Sequence, residues 1–292
     1  MTYSIVARDA DTGELGVAVQ SHWFAVGPTV PWARPGVGAV ATQAMAKVSY
    51  GPEALELLAG GASAEEALAQ LTGRDDGAAF RQVAIVDAQG RVATHTGNLC
   101  IGYAGHVTGA QVTCQANIMV SEVVWGRMLE TFENSSGPLA ERLLVALEAA
   151  EEAGGDLRGR QSAAILVVPG AGEWWKTTVS LRVDDNPAPL PELRRLLRLH
   201  SAYAAANEGD DLISQGKSDE AAARFEHALE LQPDSHELLF WSGLGLVATG
   251  AVDDGVARVR AAIALQPTWR ELLDRLPYDV SPHLEVIRQR LS

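Results

Sequence analysis

Tyr3-Ser-Ile-Val-Ala-Arg8 and Leu15-Gly-Val-Ala-Val-Gln-Ser21 are two apolar runs separated by Asp9-Ala-Asp-Thr-Gly13-Glu14. Short runs rich in Val and Ile around a connector of Asp, Thr and Gly read as two strands of a β-hairpin. The hairpin puts the start of the chain inside a sheet, with Thr2 at the end of a strand.

Outward from this hairpin the pattern alternates between strands and paired helices. After a Pro- and Gly-punctuated stretch from Gly27 to Gly38, Ala39 to Met45 reads as a buried strand. Helices are predicted over Pro52 to Leu58 and Ser63 to Leu71, the second opened by Ser63 with Glu66 three residues on, a capping-box pattern. Gln82 to Asp87 and Arg91 to Thr96 form a second hairpin, and Val107 to Met119 continues the strands. Helices at about 122–133 and 138–153 follow, the latter ending at Gly154-Gly155. Strands over Ala163 to Val168 and Trp175 to Val183 close the set, and Arg194 to Leu199 is helical. Hairpins with helices grouped in pairs predict an α+β fold, two sheets face to face with helices outside.

A different pattern occupies the end of the chain. Ala221 to Pro233 (AAARFEHALELQP) is echoed by Gly255 to Pro267 (GVARVRAAIALQP), an offset of 34 residues. That period, with two helices and a closing proline, is similar to the tetratricopeptide repeat. Helices are expected at about 201–215, 219–231, 235–249 and 253–265, with a closing pair near 269–275 and 282–290. A domain of residues 1–200 followed by an all-α domain of 201–292 is the resulting organisation. The helical domain caps its neighbour, self-associates or holds a protein partner.

Composition narrows the function classes. The 292 residues are 47% hydrophobic and 21% charged, which is ordinary globular composition. Twenty-three basic against 37 acidic residues give a net charge of −14, which argues against binding nucleic acid or an anionic membrane. No apolar run approaches the length of a membrane span. Met1 to Asp9 lacks a basic leader and only Cys100 and Cys114 are present, so the cytoplasm is the expected compartment.

Thr2 is the first candidate for chemistry. Once Met1 is removed, its α-amine, with a reference pKa of about 7.7–8.0, can take the proton of its own hydroxyl. One residue then supplies nucleophile and base.

The stretches Thr2 to Asp9, Phe24-Ala-Val-Gly27, Gly36 to Gln43, Tyr103-Ala-Gly-His106, Gly154 to Ala164 and Leu181 to Asp185 together resemble the DUF1028 family, grouped with the N-terminal nucleophile (Ntn) hydrolases. The resemblance covers about residues 2 to 203. It implies a four-layer αββα sandwich and hydrolysis of a small linear amide or peptide-like bond through an acyl-enzyme on Thr2. Neither metal nor organic cofactor is required.

Asn117 and Gln43, both at strand ends, are candidate donors to the oxyanion or substrate. Ser21 ends the strand that folds back beside Thr2, and Ser162 leads into a core strand in a supporting catalytic role. Arg160 offers a bidentate fork for a carboxylate, which would favour an acidic amide, and Asp184 or Asp185 could neutralise it. Lys47 lies just past a core strand, where a solvated loop lysine is expected rather than the partner of Thr2.

Other signals are set aside. Gly36-Val-Gly38 leads into a strand rather than opening a helix, so it forms no dinucleotide cradle. His22, His95 and His106 have no metal-ligand spacing. Cys100 reads as a buried thiol, and Arg194-Arg195-Leu-Leu-Arg198 as a solvated face. The rival to the hydrolase reading is a non-catalytic scaffold whose helical repeats bind a partner.

Overall fold

The computed structural model describes residues 2–278 and 283–292. It divides into two units, Met1–Arg195 and Leu196–Ser292, described in turn. The first unit contains strands β1 (Thr2–Arg8), β2 (Leu15–Ser21), β3 (Pro31–Arg34) and β4 (Gly38–Ala44), then helices α1 (Tyr50–Ala59) and α2 (Ala64–Gly73). Strands β5 (Arg81–Asp87), β6 (Val92–Thr96), β7 (Gly105–Gly109) and β8 (Val112–Asn117) come next. Helices α3 (Val124–Glu133) and α4 (Leu139–Glu152) and strands β9 (Ser162–Val168) and β10 (Val179–Val183) complete it.

All pairings are antiparallel, in a six-stranded sheet of order β10-β9-β2-β1-β8-β7 and a four-stranded sheet of order β3-β4-β5-β6. Side chains alternate between the faces of a strand, so register decides which residues meet. Val6, Val17, Val19 and Ala164 of the first sheet share one apolar cluster with Ala39, Ala41, Ala84 and Val86 of the second. Continuing those faces by two residues changes their chemistry. Thr2 and Ser4 follow from Val6, Ser21 from Val19, Ser162 from Ala164, and Gln43 and Gln82 from Ala41 and Ala84. The layer between the sheets is therefore apolar at one end and carries buried hydroxyls and amides at the other.

Helices cover the outer faces. Tyr50, Ala54 and Leu58 of α1 and Ala67 and Leu71 of α2 pack on Val40, Val83 and Ile85, the opposite side of the four-stranded sheet. Helix α2 carries the expected capping box, with Ser63 Oγ accepting from Glu66 N at 3.2 Å and Glu66 Oε2 from Ser63 N at 2.8 Å. On the other sheet, α4 lies so close to β2 that a Cβ on Gly16 would stand 2.6 Å from Leu143 Cδ1. Only glycine permits that approach.

Three strand expectations need correction. Pro31–Arg34 is a strand inside the stretch read as irregular, because the proline sits at its first residue, where it disturbs a ladder least. Val107 to Met119 is two strands, broken by a turn whose Gln111 takes the left-handed conformation (φ 61°). The last strand is shorter than Trp175 to Val183. Trp174 and Trp175 precede it as exposed rings, edge to face at 6.0 Å.

Helix α5 runs unbroken from Pro189 to Ser214, where separate helices at 194–199 and 201–215 were expected. No proline interrupts it after Pro191. The second unit continues with α6 (Ser218–Leu231), α7 (His236–Ala248), α8 (Val252–Leu265), α9 (Thr268–Arg275) and α10 (Leu284–Leu291). Pro282, in the helix expected at 282–290, lies outside the described residues.

The offset of 34 recurs in the packing of this unit. A Cβ on Gly209 would meet the Phe225 ring at 2.6 Å, and one on Gly243 would meet Val259 Cγ2 at 2.8 Å. Gly216 and Gly250 both take positive φ (75° and 94°) just past a helix end, the usual left-handed stop. Phe240, Val247, Val256, Leu273 and Ile287 form the largest apolar cluster of the unit.

Candidate functional site

The polar end of the inter-sheet layer converges on Thr2, which is 6% exposed. Its hydroxyl lies 3.1 Å from Ser21 Oγ. Its carbonyl accepts from Gln43 Nε2 at 3.2 Å and from Asn117 Nδ2 at 3.4 Å, Asn117 being its cross-strand partner. Both amides also donate to Gln82 Oε1, at 2.7 Å from Gln43 and 2.9 Å from Asn117. Gln82 Nε2 in turn donates to Thr96 Oγ1 at 2.9 Å and to the carbonyls of Ala116 at 2.9 Å and Gly105 at 3.1 Å. Ser4 Oγ donates to Gln43 Oε1 at 2.6 Å and accepts from Gln115 Nε2. These buried groups lock one another's orientation, as a fully satisfied polar network does.

Thr2, Ser21 and Gln43 open onto a cavity of about 350 Å³ with apolar walls from Trp23, Val26, Val30 and Val48. A second cavity of about 290 Å³ begins beyond Ala44 and Asn117 and is walled by Met45, Phe80, Leu99 and Ile101. Ala44 lines both. Ala44 and Ile118, each following an amide of the network, hold left-handed backbone at φ 68° and 57°. Such conformations are costly for residues with a Cβ and persist where surrounding structure enforces them.

The remaining expected residues are placed as follows. Ser162 Oγ donates to Trp23 O at 2.5 Å and accepts from Val26 N at 3.1 Å, fixing two residues of the cavity wall. Arg160 pairs with Glu151 at 3.2 Å on the α4 side, where Tyr3 also donates to Glu151 at 2.7 Å. Burial, then the Glu151 carboxylate, hold the Tyr3 hydroxyl well above its ordinary pKa. Asp184 lies 3.7 Å from Arg182, not on Arg160, and its carbonyl accepts from Ala25 N. Asp185 accepts from Gln161 at 3.1 Å. Neither Arg160 nor Asp184 is among the residues lining the two cavities. Lys47 reaches Asp75 at 3.6 Å.

Gln82 and Ser4 were missed by sequence reasoning. The available signal was a glutamine inside each of four largely apolar strands, Gln20, Gln43, Gln82 and Gln115, of which the last three join the network while the Gln20 amide makes no hydrogen bond. An amide kept inside a core needs partners, so several of them point to one another.

Cys100 donates to Arg81 O at 3.3 Å, and burial raises its pKa, so the thiol stays protonated near neutrality. His106 Nδ1 lies 2.8 Å from Thr96 Oγ1, and His95 Nε2 lies 2.8 Å from Ala78 O. Burial, then His95, lower the His106 pKa. Among the described residues no three His, Cys, Asp or Glu side chains converge as a metal site. No described helix is long and apolar enough to cross a membrane.

The family model described as "Family of unknown function (DUF1028)" matches residues 2–193. The chain belongs to DUF1028. A crystal structure of the DUF1028 protein SPO2555 from Silicibacter pomeroyi is similar at 35% identity and a TM-score of 0.62, over 68% of this chain and 84% of that one. Anbu (ancestral beta-subunit) from Yersinia bercovieri matches at 12% identity and a TM-score of 0.34, over 66% of this chain and 92% of that one, too slight a likeness to identify a fold. No curated protein matches. Every residue of the Thr2 network falls within the DUF1028 match, and the second unit lies beyond it.

Proposed function

We propose that this DUF1028 chain is an Ntn-type amidohydrolase, its first unit a four-layer αββα sandwich and Thr2 its nucleophile. The observation that carries this reading is the Thr2 hydroxyl, buried at the wall of a cavity, 3.1 Å from Ser21 Oγ, while two side-chain amides hold its carbonyl.

Removal of Met1 frees the Thr2 amine. That amine takes the hydroxyl proton as Thr2 Oγ1 attacks the substrate carbonyl, and the same proton passes to the departing amine as the C–N bond breaks. Water then attacks the acyl ester on Thr2 and releases the acid. Ser21 orients the hydroxyl and relays its proton.

Gln43 and Asn117 position Thr2 rather than the oxyanion, because both hydrogens of each amide are already directed at Thr2 O and Gln82 Oε1. Oxyanion stabilisation falls to backbone N–H groups of the cavity wall. Ser162 supports the wall. Arg160 and Asp184, engaged elsewhere, take no part. The compartment in this reading is the cytoplasm.

The helical unit is proposed as a tetratricopeptide-like module for a protein partner or self-association, on the strength of the Gly209–Phe225 and Gly243–Val259 packing at matching offsets.

The test begins with the intact mass of the protein from its own host, which should correspond to a chain starting at Thr2. Against a panel of small amides, Thr2→Ala should abolish turnover and Thr2→Ser should retain part of it. A retained Met1, or equal rates in all three proteins, would leave the non-catalytic scaffold as the better reading.

A further inference from the structure

The two cavities on either side of Ala44 share one property. The chain is 21% charged, yet the residues lining both cavities include no Asp, Glu, Lys, Arg or His. Beside Thr2, Ser21, Gln43 and Asn117 the large side chains of the walls are apolar: Trp23, Val26 and Val48 on one side, Phe80, Leu99 and Ile101 on the other. Nearby cations are already engaged, Arg160 by Glu151 and Lys47 and Arg81 by Asp75. An ammonium entering either cavity would find no carboxylate among the lining residues, and a carboxylate would find no cation there except the Thr2 amine, which must be neutral to act as base.

The cross-strand pair Thr2 and Asn117 contributes one residue to each cavity, and Ala44 is the ridge between them. A carbonyl in reach of Thr2 Oγ1 thus has an apolar space on either hand. We infer that the site takes an uncharged amide bearing an apolar substituent on both sides of the carbonyl, one lodged in each cavity across the Ala44 ridge. This rests on the amidohydrolase reading and replaces the acidic amide suggested by Arg160. Small-molecule sites of this kind are mostly apolar, with a few polar groups that fix orientation.

The experiment separates binding from turnover. Full-length Thr2→Ala is titrated calorimetrically with three matched amides: N-butylhexanamide, N-butylsuccinamate with a carboxylate on the acyl side, and N-(4-aminobutyl)hexanamide with an ammonium on the amine side. The uncharged amide should bind at least tenfold more tightly than either charged one.

Val48→Asp and Ile101→Asp each place a carboxylate in one cavity, at positions exposed enough (43% and 64%) to leave folding intact. Each should weaken amides lengthened at one end only, and the two should affect opposite ends. Equal or tighter binding of a charged amide, no binding of any of the three, or both substitutions acting on the same end would overturn the inference. Tight, uncharged-selective binding to a protein whose wild-type form never turns amides over would sink the hydrolase reading and leave the ligand class standing. Turnover confined to charged amides would do the reverse.

Discussion

Replacing Gln82 by glutamate exchanges one NH2 for an oxygen at the centre of the Thr2 network and leaves the shape almost unchanged. The oxygen that accepts from Gln43 and Asn117 is kept. The other atom, which donates at 2.9 and 3.1 Å to the carbonyls of Ala116 and Gly105, becomes an acceptor facing acceptors. Only the protonated acid can restore one of those donations, so the folded protein holds this carboxyl neutral, above its unfolded pKa of about 4.3.

A folded pKa raised above the unfolded one gives stability that is present below the unfolded pKa and lost as pH rises towards the folded one. Relative to wild type, Gln82→Glu should lose about 1.4 kcal/mol per pH unit above pH ~4.3, or about 2.7 kcal/mol for a rise of two units. With a urea m-value of about 2 kcal/mol/M, that is a fall of roughly 1.4 M in midpoint. Urea unfolding of both proteins at pH 4, 5, 6 and 7 measures it, with Gln82→Met as the variant that loses the same stability at every pH. A Gln82→Glu deficit that stays flat from pH 4 to 7 would refute the assigned directions of these hydrogen bonds.

Other expectations follow from single positions. At Ala44 (φ 68°) glycine relieves left-handed strain, so Ala44→Gly should stabilise by about 0.5–1 kcal/mol and Ala44→Val should destabilise, read as opposite shifts of the melting temperature. The Asp75 carboxyl is held below its usual range first by its bond from Arg81 and then by the Tyr50 hydroxyl and Gly77 N–H. Its contribution is present above the unfolded pKa and lost as pH falls through the folded one, so Asp75→Asn should flatten the acid limb of a stability profile below about pH 4. In the second unit, a Cβ on Gly255 would stand 2.5 Å from Gly243 O, and Gly255→Ala should cost about 1–3 kcal/mol by forcing α7 and α8 apart, visible in the urea unfolding of that unit.

The first hairpin was legible because two short apolar runs flank a turn-rich connector over Tyr3 to Ser21. Strand β3 was not, since Pro31 and the glycines around it look like a loop in one dimension and only the pairing Pro31↔Ala41 makes them a strand. The unbroken α5 escaped because its one glycine before Gly216, Gly209, does not stop the helix but packs within it against Phe225, a role that only packing reveals. Within the candidate site, Thr2, Ser21, Gln43 and Asn117 meet because each ends a strand, which is readable from the pattern. Arg160 shows the limit. Its partner Glu151 sits on the preceding helix, and charge pairing across a loop leaves no periodic trace for the sequence to display.

Thr2 is the first residue of an interior strand, and the neighbours that enclose it are made late. Asn117 is synthesised 115 residues after it, and Ser162, which pairs with Ser21, later still. At about 5–20 residues per second, roughly 6–23 seconds of translation separate Thr2 from Asn117. In the proposed reading, an aminopeptidase acting before β8 is made meets Thr2 without its cross-strand partner, whereas one added to the finished protein meets it between Ser21 and Asn117. If Thr2 acts as proposed, its unmasking falls to the period of synthesis, and protein that keeps Met1 through that period should resist trimming afterwards.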